Sequence, residues 1–227
     1  MKPKVAFFDF TSCEGCQLTV VDSLQTHLDL LDAVEIVQFR EAMSERGEDY
    51  AVAFVEGSIT RESDEARLKK IREQAALVVA LGACAHLGGV NAIKNLAPLD
   101  DVRKYVYGDK YEWYATYAAR PISAVVKVDA FIPGCPIDRA EFIEVVKALL
   151  AGRKPNLPTH SVCVECKRRD QVCVLIAGGV PCLGPVTQAG CGAICPRFGR
   201  GCYGCFGPME TPNAASLCNQ LRVLGQS

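Results

Sequence analysis

Several features that define other classes of protein are missing from this sequence. No stretch reaches the roughly 18 apolar residues of a membrane span, and the apolar run near the N-terminus meets Asp9 too early for a signal peptide. The net charge of -1 gives no electrostatic case for binding nucleic acid. No phosphate-binding G-x-x-x-x-G-K-[ST] motif, Ser/His/Asp triad or Cys-x-x-Cys-His haem motif is present. We therefore expect a cytoplasmic protein without membrane or nucleic-acid partners.

What the sequence does contain is cysteine, at 13 positions among 227 residues. Disulfides are disfavoured in the cytoplasm, and an odd number leaves one thiol over in any pairing. Metal ligation is the better interpretation. Four of the cysteines lie in residues 1–155 and nine in residues 156–227, and the Pro- and Gly-containing stretch AGRKPNLP marks the boundary. We predict two domains with these limits.

The first domain alternates strand and helix patterns, which predicts an α/β fold with a mostly parallel sheet and helices on both faces. A helix over 63–74 has Ser63 as its N-cap and an inward stripe of Leu68, Ile71 and Ala75. A helix over 138–150 has Asp138 as its N-cap, Gly152 at its end and one apolar face, which consists of Phe142, Val145, Val146, Leu149 and Leu150. The stretch 87–121 is predicted to be an irregular excursion. The predicted strands are 5–10, 33–39, 50–55, 76–81 and 124–132.

Four cysteines of the first domain follow predicted strands: Cys13, Cys16, Cys84 and Cys135. Ligands in open parallel sheets bind beyond the carboxyl ends of the strands, so these thiols are expected in one crevice. Four thiolates are the ligand set of a [4Fe–4S] cluster or of structural zinc, and the alternative is that some are buried structural thiols. The preceding glycines (15, 82 and 134) would let the backbone approach a cluster closely.

Glu56 follows the third strand and is expected to face the same crevice. Its carboxylate has two interpretations. In the first, it tunes the cluster or relays protons. In the second, it accepts hydrogen bonds from nearby backbone N–H groups and has no further role.

The second domain has little periodicity and is too rich in Gly, Pro and Cys to hold itself together by apolar burial, so metal–thiolate bonds are the natural cross-links. Eight cysteines make two sets of four. We divide them sequentially, because each half then contains one tight Cys-x2-Cys pair, although interleaved ligands remain an alternative. Cys218 is left over as a structural thiol, and His160 is a less favoured ligand. The two sets are Cys163, Cys166, Cys173 and Cys182, then Cys191, Cys195, Cys202 and Cys205.

Three metal sites in a chain without a substrate site predict an electron carrier. The segments DFTSCEGCQL, FVEGS, LGACAHLGG, IPGCP, CVECKRRD and PCLGPVTQAGCGAICPRFGRGCYGC resemble the small subunits of [NiFe] hydrogenases, most closely the delta subunits of soluble NAD(P)-linked sulfhydrogenase-type enzymes. The resemblance implies a flavodoxin-like first domain and three [4Fe–4S] clusters. It implies that the first-domain cysteines hold the proximal cluster, the Cys191 set the medial one and the Cys163 set the distal one.

The resemblance further implies a large subunit that splits or forms hydrogen, and flavin-, NAD(P)-binding or ferredoxin-like partners that receive the electrons. Membrane-linked and periplasmic members differ from this chain: they have histidine in place of Cys163, commonly lack the ligand assigned to Cys195, and carry an export signal. The related complex I subunit has adjacent cysteines where this chain has Cys13 and Cys16 spaced apart. The alternatives are a zinc-stapled assembly protein and a methanogen-type, viologen-reducing hydrogenase subunit.

Overall fold

The computed structural model describes residues 2–226, and the chain divides after Arg139 into two compact units. This division places the helix that begins at Arg139 with the C-terminal unit, earlier than the boundary after residue 155 that the Pro- and Gly-containing stretch indicates. The metal-binding roles assigned to the two predicted domains stay predictions. Every helix of the described chain is too short or too polar to cross a lipid bilayer.

The first unit is built on a five-stranded, entirely parallel sheet in the order β2-β1-β3-β4-β5. This order is that of the flavodoxin-like folds, so the predicted fold class is confirmed. Inner strands are buried on both faces, which explains their continuous apolar sequences. The strands are β1 (Lys4–Asp9), β2 (Glu35–Phe39), β3 (Val52–Glu56), β4 (Leu77–Leu81) and β5 (Ala130–Ile132).

Helices and short 3-10 segments connect these strands, except between β2 and β3, where the chain is irregular. Leu68 and Ile71 of α3 are buried in the main hydrophobic cluster beside Ala75, as their spacing predicts. The first-unit helices are α1 (Gly15–Thr26), α2 (Leu28–Ala33), α3 (Glu62–Gln74), α4 (Gly82–Leu87) and α5 (Leu99–Tyr107), with 3-10 segments at Gly89–Leu96, Gly108–Trp113 and Ile122–Ala124.

Three local predictions were wrong. Helix α3 begins at Glu62 with Arg61 as its N-cap, so Ser63 does not cap it. Strand β5 is much shorter than 124–132, because the Asp129 carboxylate accepts the Val78 N–H (2.9 Å) and also pairs with Arg72 before the strand begins. The stretch 87–121 is largely helical, and its α-helix and two longer 3-10 segments contain no buried residue.

The second unit contains helices separated by irregular chain. Helix α6 buries Phe142, Val145 and Val146 as predicted, whereas Leu150 is exposed. Gly152 follows it with a φ of 64°, the left-handed conformation expected of a residue that ends a helix. The helices of this region are α6 (Arg139–Leu150), α7 (Val162–Arg168), α8 (Val174–Gly178), α9 (Ile194–Arg197) and α10 (Ala214–Val223).

A small apolar cluster accompanies the cysteines of the second unit. Leu175, Cys182 and Leu217 are buried in it. Three buried side chains make a small cluster, so apolar burial in it contributes little to the stability of the chain around the cysteines.

Candidate metal centres

The strands of the first unit end in register. Asp9 pairs with Glu56, Glu56 with Leu81, and Leu81 with Ile132, so the last residues of β1, β3, β4 and β5 form one row across the sheet. The segments that follow β1, β4 and β5 carry the four cysteines of this unit. Because parallel strands all end at the same edge, these segments emerge side by side.

The four thiols interact with one another in this crevice. Burial, followed by the charges of Cys135 and Cys13, raises the pKa of Cys84 to about 11. The pKa of Cys16 is raised by burial and then by Glu56, with smaller contributions from Cys84 and Cys135. Cys16 and Cys84 are buried, whereas Cys13 and Cys135 are exposed. The structure therefore brings together all four thiols that the sequence predicts as one ligand set.

This donor set fits a metal centre. Metal ligands must be thiolates, and crowded buried thiols ionise only when a nearby positive charge compensates them. A four-iron cluster supplies that charge through thiolate ligation. Among the described residues, no three Cys, His, Asp or Glu side chains are grouped as ligands of one isolated metal ion.

Glycines permit the close approach of backbone to these sulfurs. Gly82 has a φ of 80°, and a methyl group there would collide with the Cys16 sulfur. A methyl group at Gly89, where φ is 55°, would lie 2.8 Å from both the sulfur and the backbone nitrogen of Cys84. The Gly134 carbonyl accepts the Ala83 N–H at 2.7 Å and so ties together the loops after β4 and β5. The sequence does not single out Gly89, because its role depends on a turn after the cysteine.

Glu56 is the last residue of β3 and is 1% exposed, and its carboxylate lies at the beginning of helix α1. The N–H groups of Cys16 and Gln17 donate to its two oxygens at 3.2 and 3.0 Å. Burial raises the pKa of Glu56, and these hydrogen bonds oppose the increase. This geometry is that of a carboxylate satisfied by backbone N–H groups, the second of the two interpretations, while its part in tuning a cluster stays a prediction.

In the second unit the Cys163 set is also brought together. A methyl group at Gly184 would lie 3.3 Å from the Cys182 sulfur and 3.6 Å from the Cys163 sulfur. Burial raises the pKa of Cys166 most, and the contributions of Cys163, Cys182, Cys173 and, least, Cys191 bring it to about 11.

The Cys191 set lies next to the Cys163 set. The pKa of Cys202 is raised by burial, with small contributions from Cys182 and Cys195, and the pKa of Cys191 by burial, Glu165 and Cys202. The Cys202 N–H donates to the Cys182 sulfur at 3.1 Å. The Cys163 set and the Cys191 set are therefore in contact, because a backbone N–H of one set donates a hydrogen bond to a sulfur of the other.

His160 and Cys218 are the two remaining residues with a predicted role. His160 is partly buried, and its Nδ1 lies 3.3 Å from the Ser161 carbonyl oxygen. Cys218 lies in helix α10 with an exposed side chain, and its structural role stays a prediction.

Comparison with known proteins shows the family to which this chain belongs. A family model described as NADH ubiquinone oxidoreductase, 20 Kd subunit, matches residues 13–149. The chain belongs to this family. The match begins at Cys13 and includes all four cysteines of the crevice.

The relatives are hydrogenase subunits. The chain is 35% identical to the delta subunit of sulfhydrogenase 2 of Pyrococcus furiosus, covering 97% of this chain and 93% of the relative. It is 35% identical to a vhu subunit of the F420-non-reducing hydrogenase of Methanocaldococcus jannaschii, covering 91% and 82%. The resemblance to [NiFe] hydrogenase small subunits is thereby confirmed, and the electron-transfer role with it.

A solved structure shows the same fold. A chain of the [NiFeSe] hydrogenase from Desulfovibrio vulgaris Hildenborough superposes with a TM-score of 0.63 at 20% identity, covering 95% of this chain and 96% of that one. The shared fold therefore extends across nearly the whole length of both chains.

The variant Gly89→Ala tests the crevice. We expect the purified protein to lose one cluster's worth of iron and acid-labile sulfide, about a third of the total, because the added methyl group displaces Cys84. Gly108→Ala is the control: its φ of 56° is close to the 55° of Gly89, but nothing lies within 4 Å of the new methyl group. Equal iron content in the two variants would contradict the assignment.

Proposed function

We propose that this chain is the small subunit of a cytoplasmic [NiFe] hydrogenase and relays electrons between the large subunit and an acceptor subunit through three [4Fe–4S] clusters. The observation that carries the proposal is the convergence of four thiols, from three separate segments, beyond the ends of the parallel strands. That arrangement occurs in a chain whose relatives are hydrogenase subunits.

The proximal cluster is assigned to the cysteines of the first unit. Bound clusters would supply reversible one-electron transfer. The protein contributes the thiolates and the glycines that allow their approach. Burial of Cys16 and Cys84 keeps water from those sulfurs, and the Val90 and Ile137 backbone groups that hydrogen-bond to Cys84 and Cys16 orient them. The ligands proposed are Cys13, Cys16, Cys84 and Cys135.

The medial and distal clusters are assigned by the sequential division. The neighbours that act on Cys166 support it, because its three largest thiol partners all belong to its own set. The contact between Cys182 and Cys202 keeps an exchange of ligands between the two sets as the alternative. The medial ligands proposed are Cys191, Cys195, Cys202 and Cys205, and the distal ligands are Cys163, Cys166, Cys173 and Cys182.

The large subunit is proposed to cover the crevice of the first unit, at segments 11–15, 82–89 and 133–138. Exposed apolar side chains in the stretch that follows the Cys84 loop support this position: Leu96, Tyr105 and Trp113 are 86, 92 and 77% exposed. The Asn91 side chain donates to the Thr11 carbonyl at 2.7 Å and links that stretch to the loop of Cys13. Large exposed apolar side chains are enriched at protein interfaces.

The electron acceptors are proposed from the resemblance to hydrogenase small subunits alone. They are flavin- and NAD(P)-binding or ferredoxin-like subunits, which receive electrons from this chain. A relative named as F420-non-reducing keeps the methanogen-type subunit as the alternative.

The first test separates relay from catalysis. The chain purified alone with its clusters intact is expected neither to take up hydrogen nor to reduce viologen dyes with it, because all the thiols outside Cys218 are assigned to iron–sulfur clusters. Added large subunit is expected to restore hydrogen-dependent reduction of the clusters, followed by electron paramagnetic resonance. Hydrogen uptake by the isolated chain would refute the relay.

The second test removes one proposed medial ligand. Cys195→Ser is expected to change the electron paramagnetic resonance signals of one cluster and to raise its reduction potential, since a lost thiolate changes cluster type and charge. Cys218→Ser is the control, because it removes an exposed thiol with no assigned ligand role. Identical signals in the Cys195→Ser variant and the unaltered protein would show that Cys195 is not a ligand.

A further inference from the structure

Helix α7 carries a carboxylate between two proposed distal ligands. Glu165 lies between Cys163 and Cys166 in the sequence, yet its side chain is directed to a different loop. The Gly190 N–H donates to Glu165 Oε1 at 3.0 Å, and the Ala193 N–H donates to Oε2 at 3.1 Å. The carboxylate therefore holds the loop on both sides of Cys191, a ligand proposed for the neighbouring cluster.

The loop itself needs this support. Gly190, Gly192 and Ala193 have φ angles of 132°, 65° and 53°, so three of its four residues adopt a backbone conformation that L-residues rarely take. Ala193 is fully buried, and an unpaired N–H group there would be unfavourable. The Arg169 guanidinium, one turn after Glu165 on the same side of α7, lies against Gly192. Helix α7 thus clamps the loop with two charged side chains.

The carboxylate also acts on the sulfur. Glu165 Oε2 lies 3.9 Å from the Cys191 sulfur. A negative charge so close opposes the addition of an electron to a cluster held by that sulfur. In addition, Glu165 competes with the sulfur for the Ala193 N–H, which interacts with both groups, and hydrogen bonds given to sulfur raise cluster potentials. Both effects lower the potential.

We propose that Glu165 is a positioning residue that orients Cys191 and lowers the reduction potential of the cluster that Cys191 ligates, from a helix whose own cysteines ligate the adjacent cluster. This inference rests on the proposed function. It makes α7 the element that links the two sites, because a change in this helix alters the ligands of one cluster and the charge beside the other.

Three variants of the whole hydrogenase complex test the proposal. Glu165→Gln removes the charge and keeps the size, Glu165→Asp keeps the charge, and Glu210→Gln removes an exposed carboxylate of the same unit as a control for net charge. Redox titration followed by electron paramagnetic resonance gives the potential of each cluster. The signals altered in Cys195→Ser identify the one that Cys191 ligates.

We expect the reduced-to-oxidised ratio of that cluster in Glu165→Gln to rise about tenfold at fixed potential, a shift of about 59 mV for one electron. Glu165→Asp is expected to stay closer to the unaltered complex, and Glu210→Gln to match it. An unchanged potential in Glu165→Gln, an equal shift in Glu210→Gln, or loss of the cluster from both Glu165 variants would overturn the proposal. Absence of iron–sulfur signals from the unaltered complex would instead contradict the proposed function.

Discussion

The cost of ionising cysteines that are crowded into a partly buried crevice is the constraint on which this molecule depends. Burial raises the pKa of Cys16, Cys84 and Cys135, and neighbouring thiols act in the same direction. Sulfur gathered in this way stays protonated until a positive charge compensates it, and iron within a cluster is such a charge. The second unit extends the same constraint, since its apolar cluster is small and its cysteines are many. We therefore propose that metal–thiolate bonds are both the functional centres and, in that unit, the main cross-links.

The two units bring their cysteines together by different structural means. In the first, a regular parallel sheet aligns the ends of its strands, so that loops distant in sequence deliver their cysteines to one place. In the second, short helices and left-handed loop residues position the cysteines, and the Glu165 carboxylate accepts loop N–H groups that no sheet pairs. Precise ligand placement without a large core then requires local polar contacts, which is why a carboxylate lies between neighbouring cysteine loops.

The sequence predicts the parts that regular periodicity controls. Local sequence patterns predict the parallel sheet, the buried stripe of Leu68 and Ile71, and the position of four cysteines after strands. The tertiary structure agrees with these patterns. The prediction from sequence is wrong where a side chain takes the place of a backbone carbonyl as hydrogen-bond acceptor. Before β5, the Asp129 carboxylate accepts the Val78 N–H in this way. The roles of Gly89 and Glu165 depend on neighbours 5 and 25 or more residues away, so composition and spacing do not reveal them.

The measurement that tests the central claim most directly is metal analysis of the purified chain together with its acid-labile sulfide and visible spectrum. Three [4Fe–4S] clusters predict about 12 iron and about 12 sulfide per chain, with broad visible absorption. Stoichiometric zinc without sulfide and without visible absorption would contradict the account, because zinc neither accepts nor donates electrons. The chain would then be a zinc-stapled structural protein rather than an electron relay.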